Sequence, residues 1–188
     1  MGKIVIITAP SGAGKTSITR YLISKYDQLA FSISAATRKP RAGEKDGVEY
    51  YFLSTEAFKQ KIAEQAFIEW EMVYQGSYYG TLKSELERIW ALGKTPMLDI
   101  DVKGAIHVQQ QFPDSSLSIF IQPPSVEELK KRLESRGTER PETMADRVNK
   151  ASYQISFSHY FFFFKLKTAY EILTCDWSSD VCSSDLYD

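Results

Sequence analysis

The chain reads as an α/β protein: a parallel sheet with helices on both faces, interrupted by an inserted lobe. Three observations predict this. Lys3 to Thr8 is a short β-branched apolar run that passes through a Gly-rich turn, Ala9 to Lys15, into a segment with apolar residues at helical spacing. Such a run is typical of a strand buried on both faces. Two more runs of the same kind, TPMLDI (Thr95 to Ile100) and LSIFI (Leu117 to Ile121), alternate with helical patterns further along, and that alternation implies parallel strands with helical crossovers. The stretch 34–81 breaks the alternation with strands of its own.

In chain order, Thr16 to Tyr26 is predicted as a helix, with Ile18, Tyr21 and Leu22 at helical spacing. A polar, cation-rich stretch from Ile33 to Phe52, ISAATRKPRAGEKDGVEYYF, ends in a predicted strand at Tyr50 to Leu53. Thr55 to Glu64 reads as a helix with Ser54 as its N-cap, Phe67 to Val73 as a strand and Ser77 to Thr81 as a turn. Leu82 to Leu92 is predicted helical and stopped by Gly93, and Lys103 to Gln111 follows the second buried run as another helix. Pro123 and Pro124 end the third run, Ser125 caps a basic helix to about Ser135, Arg136 to Pro141 is a charged loop, and Glu142 to Ser158 is a further helix.

Bulk properties narrow the function. At 188 residues the chain suits one domain with a sizeable core. A formal net charge of -1 argues against a general nucleic-acid binder, so the cations after Ile33 are a local feature. No apolar run approaches the roughly 18 residues of a membrane span. No basic segment followed by an apolar stretch opens the chain, so a cytoplasmic location and no membrane partner are expected. The two cysteines, Cys175 and Cys182, supply no disulfide framework and fit no metal spacing.

The sharpest motif is APSGAGKT, Ala9 to Thr16. It matches the phosphate-binding pattern G-x-x-x-x-G-K-[ST] except that Ala9 replaces the first glycine. Backbone N–H groups must converge on a phosphate where the chain wraps it, and Gly12 and Gly14 allow that. The whole loop, Ala9, Pro10, Ser11, Gly12, Ala13, Gly14, Lys15 and Thr16, is therefore the candidate ATP site. Lys15 would reach the terminal phosphates, and the Thr16 hydroxyl would help hold Mg2+. Asp99 ends the second buried run, where α/β sheets place their ligands, and is the second candidate for Mg2+. Asp101, two residues on, would point to the same side if the strand continued; otherwise it caps the next helix.

A P-loop names the donor and leaves the acceptor open. Here the sequence resembles the guanylate kinase family, through APSGAGKT, FSIS-ATRKPRAGE-DG-EYYF, FIEW, YYGT, LDID-KGA and PPS-EELKKRLESRGTE, in order across roughly residues 3 to 160. The resemblance implies a P-loop NTPase-type core (1–33 and 82–124), a GMP-binding lobe (34–81) and a helical lid over ATP (about 125–147). It implies transfer of the ATP γ-phosphate to GMP with Mg2+, ATP and GMP being the small-molecule partners. Residues matching Arg38 and Arg41 grip the GMP phosphate, which guanidinium forks suit. Tyr50 and Tyr79 match the tyrosines that donate to the same phosphate, and Tyr51 and Tyr78 are left for packing. Glu69 matches the guanine reader, because a carboxylate pairs with adjacent N1–H and N2–H donors. Ser34 and Thr81 match base contacts, and Asp101 a contact near the 2-amino group. Arg132, Arg136 and Arg147 match the lid's phosphate-facing arginines, which with Lys15 form the catalytic set. The other readings are a non-catalytic guanylate-kinase-like module that binds phosphopeptides, an inactive truncated kinase, and a small P-loop kinase for another acceptor.

After Tyr160 the resemblance is expected to stop. The family continues with an apolar strand and a long helix; here residues 161–188 read FFFFKLKTAYEILTCDWSSDVCSSDLYD. This tail resembles translated sequencing-adapter read-through joined to a shortened gene. The alternative is a divergent tail in which Tyr170 to Thr174 forms the missing strand. On the first reading Phe161 to Phe164 is exposed, and the chain is poorly soluble or weakly active.

Overall fold

The computed structural model describes residues 2–10, 13–41, 43–74, 76–135, 149 and 151–165. The first unit is β1 (Ile4–Thr8), α1 (Lys15–Lys25) and β2 (Leu29–Phe31). An inserted segment follows: β3 (Ala35–Ala36), β4 (Tyr51–Phe52), α2 (Thr55–Ala63), β5 (Phe67–Tyr74) and β6 (Ser77–Leu82). The chain then returns through α3 (Lys83–Ala91), β7 (Thr95–Asp99), α4 (Val102–Gln111), β8 (Ser116–Gln122) and α5 (Val126–Ser135). Residues 151–155 are helical, a 3-10 turn covers Ser158–Tyr160, and β9 (Phe162–Lys165) ends the described chain.

The central sheet is parallel throughout, in the order β2-β7-β1-β8-β9. Period-2 alternation sends its side chains to two separate cores. Ile4 and Ile6 of β1, Leu98 of β7 and Phe120 of β8 face one side, where Leu86 of α3 and Val102, Ala105 and Val108 of α4 cover them. Ile7, Met97 and Ile121 face the other, under Ile18 of α1 and Leu129 of α5. Strands sandwiched this way must be apolar on both faces, which is why they read as unbroken apolar runs.

The second sheet, β4-β3-β6-β5, carries a smaller core of Ala35, Phe58, Phe67 and Leu82. Phe58 stacks on Phe67 at 4.3 Å between ring centroids and also meets Tyr78. Glu85 at the start of α3 ties this lobe to the main body. Its buried carboxylate accepts from the Ile33 N–H, the Tyr51 hydroxyl and the Arg88 guanidinium, at 2.8 to 3.0 Å. Burial pushes its pKa up, but the bonds from Arg88, Ile33 and Tyr51 outweigh that and hold it below the ordinary carboxylate value.

Local signals set the helix ends. The Ser54 and Ser125 hydroxyls accept from the N–H groups of Ala57 and Glu128, and Gly93 takes φ 70° just beyond α3. Ser77 to Thr81 is not a turn: it is strand β6, paired antiparallel with β5, and the reversal falls at Gly76 with φ 78°. Serine and glycine signal a turn locally, but cross-strand pairing with β5 overrides them. The expected exposure of the phenylalanine run is corrected at Phe161. Phe161 is buried against Phe120, and the backbone of 162–165 pairs in parallel with Ile119 to Gln122 of β8. The alternative strand at Tyr170 to Thr174 lies outside the described residues, as do 142–148 and 150 of the expected helix Glu142 to Ser158, of which 149 and 151–155 are helical.

Candidate active site

The loop after β1 carries the first group of candidate residues. Ala9 is buried at the strand end, and the Ala13 side chain is inserted in the core beneath α1. Gly14 is the N-cap of α1 at φ 91°, and nothing lies within 4 Å of where a Cβ would be. Its glycine is required by the left-handed backbone rather than by crowding. No side chain caps α1, whereas Ser54, Asp101 and Ser125 cap α2, α4 and α5. The α1 N-terminus therefore presents N–H groups and positive dipole to a ligand.

Parallel register sets Asp99 beside Ile7, next to this loop. The Lys15 ammonium lies 2.9 Å from Asp99 Oδ1 and donates to the Ile100 carbonyl at 3.1 Å. The Thr16 hydroxyl donates to Asp99 Oδ2 at 3.0 Å. Thr16 and Asp99 thus present two oxygens side by side, a donor set that suits a hard cation such as Mg2+. No group of three or more His, Cys, Asp or Glu side chains placed to hold a metal ion by themselves occurs among the described residues.

On the lobe side, Glu69 is 6% exposed on β5. Thr81, its partner across β6, donates to Oε1 at 2.6 Å. Burial pushes the Glu69 carboxyl up to about 7; the Thr81 bond opposes this and the Asp101 charge adds to it. Asp101 does not continue β7. It is the N-cap of α4, and its Oδ1 accepts from the Gly104 N–H at 3.0 Å. Gly104 in turn makes room for Glu69: a Cβ there would stand 2.8 Å from Glu69 Oε2.

Of the cations between Ile33 and Phe52, Arg38 and Arg41 are organised by Glu44. Arg38 grips it with both Nη atoms, at 2.6 and 2.7 Å, and the Arg41 N–H donates to it at 2.7 Å. The Arg38 bond holds the Glu44 carboxyl down at about 2. The Arg38 guanidinium also lies over the Tyr50 ring, 4.8 Å from its centroid, and Tyr50 meets Tyr79 edge-on at 6.1 Å. Burial raises the Tyr79 hydroxyl, against the Arg38 charge, so it remains a proton donor. Arg41 is exposed. Tyr51 and Tyr78 are spent on Glu85 and on Phe58, as packing residues.

One cleft of about 280 Å3 joins the two sides. Ala9, Lys15 and Asp99 line it from the loop, and Ser34, Tyr50, Glu69 and Tyr79 from the lobe, with Asp101 and Ile100 at its base. Thr16 and Thr81 join through their bonds to Asp99 and Glu69. Of Arg132 only the backbone, in α5, is described, and Ser11, Gly12, Arg136 and Arg147 lie outside the described residues. Sequence reasoning missed Glu44, Gly104 and the cleft residues Glu71, Val73 and Gln154. Signals existed for all but Gln154: Glu71 and Val73 share the Glu69 face of the strand by period-2 spacing, and Glu44 and Gly104 lie within the stretches ATRKPRAGE and LDID-KGA that carry the family resemblance.

A parallel sheet carrying a phosphate loop and a carboxylate on the adjacent strand defines a protein of the P-loop NTPase class. The family model "Guanylate kinase" matches residues 1–167, and the chain belongs to the guanylate kinase family. A guanylate kinase of Porphyromonas gingivalis is 50% identical over 162 residues, covering 86% of each protein. One from Bacteroides fragilis is 47% identical over 156 residues, covering 83% of this chain and 76% of the relative. The crystal structure of guanylate kinase from Anaplasma phagocytophilum superposes with a TM-score of 0.71 at 29% identity, over 90% of this chain and 79% of that one. A shikimate kinase from Bacteroides thetaiotaomicron, 12% identical with a TM-score of 0.51, shares the fold alone. The family match runs past Tyr160, as β9 does. No helix among the described residues is long and apolar enough to cross a membrane.

Proposed function

We propose that the chain transfers the γ-phosphate of ATP to GMP, giving ADP and GDP, by direct in-line displacement in the cleft between loop and lobe. The observation that carries this is the continuity of that cleft, from Lys15 and Asp99 at one end to Glu69 and Tyr79 at the other. An oxygen of the GMP phosphate attacks the γ-phosphorus, a new O–P bond forms, and the bond to the β–γ bridging oxygen breaks. The attacking oxygen is already anionic, so no general base is required. Catalysis is then positioning and charge neutralisation.

Lys15 would leave Asp99 for the β and γ phosphates, and the α1 N-terminus would hold them. Mg2+, held by Thr16 and Asp99, would neutralise phosphate charge when bound. Arg38, Arg41, Tyr50 and Tyr79 would fix the GMP phosphate, with phosphate competing against Glu44 for the Arg38 fork. Glu69 would read the guanine edge with Ser34, Thr81 and Asp101. Arg132, Arg136 and Arg147 are proposed as the lid cations. A cytoplasmic location accords with the small-molecule substrates.

A coupled ADP-release assay with GMP, AMP and dTMP as acceptors tests the reading, and GMP is expected to be used far better than the others. Glu69→Gln should raise KM for GMP by about tenfold or more, the scale of a lost charge-assisted hydrogen bond, with KM for ATP nearly unchanged. A parallel loss for both nucleotides would contradict the assigned role.

A further inference from the structure

The roles above leave one buried polar side chain in the cleft unused. Gln154 is 6% exposed and lines the cleft together with Ile100 and Asp101. Its backbone carbonyl accepts from the Phe157 N–H. Its side-chain amide has no hydrogen-bond partner among the described residues. A side-chain amide carries two N–H donors and a carbonyl acceptor, and this one belongs to a residue of the cleft wall, where a ligand can reach it.

Its position in the fold explains what could satisfy it. Ala151, one turn earlier, is packed in the core beneath α1 and α5, and the next residue, Ile155, packs against the core on the opposite face of the sheet. The helical residues 151–155 therefore straddle the carboxyl edge of the central sheet, where open α/β sheets bind their ligands. Gln154 thus reaches the cleft from an element separate from both the phosphate loop and the lobe. The cleft already holds Glu69, Glu71, Asp99 and Asp101. A neutral amide there can donate to an anionic or hydroxyl-bearing ligand without adding repulsion. Most of the cleft wall comes from the lobe side, which favours the acceptor nucleotide over the donor.

We propose that Gln154 is a substrate-binding residue for the acceptor: its side-chain amide hydrogen-bonds the sugar–phosphate oxygens of the nucleoside monophosphate in the cleft. This rests on the reading that the cleft holds GMP.

The test is calorimetric titration of GMP, and separately of ATP, into the full chain and into Gln154→Met, which keeps side-chain length and removes the hydrogen-bonding atoms. The expected result is a Kd for GMP weakened about tenfold, a Kd for ATP within about twofold, and an unchanged melting temperature. Repeating the pair with 2′-deoxy-GMP separates two oxygen sources. If the effect of the substitution disappears, the contact is to the ribose 2′-hydroxyl; if it persists, the contact is to phosphate or another sugar oxygen. Either result supports the proposal. A methionine variant that binds GMP as tightly as the parent overturns it, as does one that loses stability and both affinities together, which marks a structural role. If that variant does not fold, the near-isosteric Gln154→Glu decides: weakened GMP binding, from a carboxylate facing phosphate, supports the proposal, and parental binding sinks it. A parent chain that fails to bind GMP at all removes the acceptor reading first, and this proposal with it.

Discussion

Glu69 is a carboxyl group buried in the wall of the cleft. Its pKa of about 7 lies above the ordinary 4.5, so between those values the folded chain keeps a proton that the unfolded chain releases. The resulting stabilisation is fully present below pH 4.5 and is lost as pH rises through about 7. The whole effect is on the order of 3 kcal/mol. Glu69→Gln should flatten this part of the stability profile, since an amide carbonyl can still accept from Thr81. Urea midpoints from pH 5 to pH 8 check this; a slope unchanged by the substitution would place the titration elsewhere. Ligand binding follows in sign. Guanine N–H donors favour the ionised carboxylate, so GMP should bind more tightly from pH 6 to pH 8, by more than its own phosphate titration gives, and the glutamine variant should lose that excess. Sequence alone did not single out Glu69. Period-2 spacing puts Glu69 and Glu71 on one face of β5 and both line the cleft. What distinguishes Glu69 is Thr81 and Gly104, contributed from other elements, and only the family resemblance carried that information.

Helix α4 shows what was legible at the level of elements. Its caps, like those of α2 and α5, rest on local residues and were readable as such. The lobe strands β3 and β6 were not, because two alanines and a Ser-Tyr-Tyr-Gly run declare strand only when a partner lies alongside. Gly104 is similar: in sequence it is a poor helix residue in the first turn of α4. In the fold it is the close approach that admits the Glu69 carboxylate. Gly104→Ala separates the two descriptions. Helix propensity alone would favour alanine by about 1 kcal/mol. The new methyl would meet Glu69 Oε2 at 2.8 Å and force the carboxylate aside. The expected outcome is a melting temperature close to the parent's with a KM for GMP raised about tenfold to a hundredfold, the scale of a misplaced binding group. Steady-state kinetics beside thermal melting would decide, and parental KM would refute the close-approach account.

At the scale of the whole molecule, the three inner strands of the central sheet, β7, β1 and β8, were readable as apolar runs, since strands covered on both faces have no reason to alternate, whereas the short edge strand β2 was not. The same rule applied to Phe161 to Phe164 and was overridden by the change in composition around it. The run is where the fifth strand forms, beside β8 rather than any neighbour in sequence. Phe161 enters that strand with its ring stacked on Phe120, 6.1 Å between centroids and 17° between planes, in the core beneath α3 and α4. Through Phe120 and Ile100 this core supports the carboxyl ends of β8 and β7, and so the base of the cleft. If β9 is an integral edge of the sheet, Phe161→Ala should cost about 3–5 kcal/mol, as buried Phe→Ala changes do. Equilibrium urea unfolding would register this as a lower midpoint with little change in slope. If the strand were a dispensable addition, Phe161→Ala would leave the midpoint within the roughly 0.5 kcal/mol typical of surface substitutions. Phe161→Leu, which keeps most of the buried volume, should fall between the two, and that graded order distinguishes a packed core position from an incidental contact.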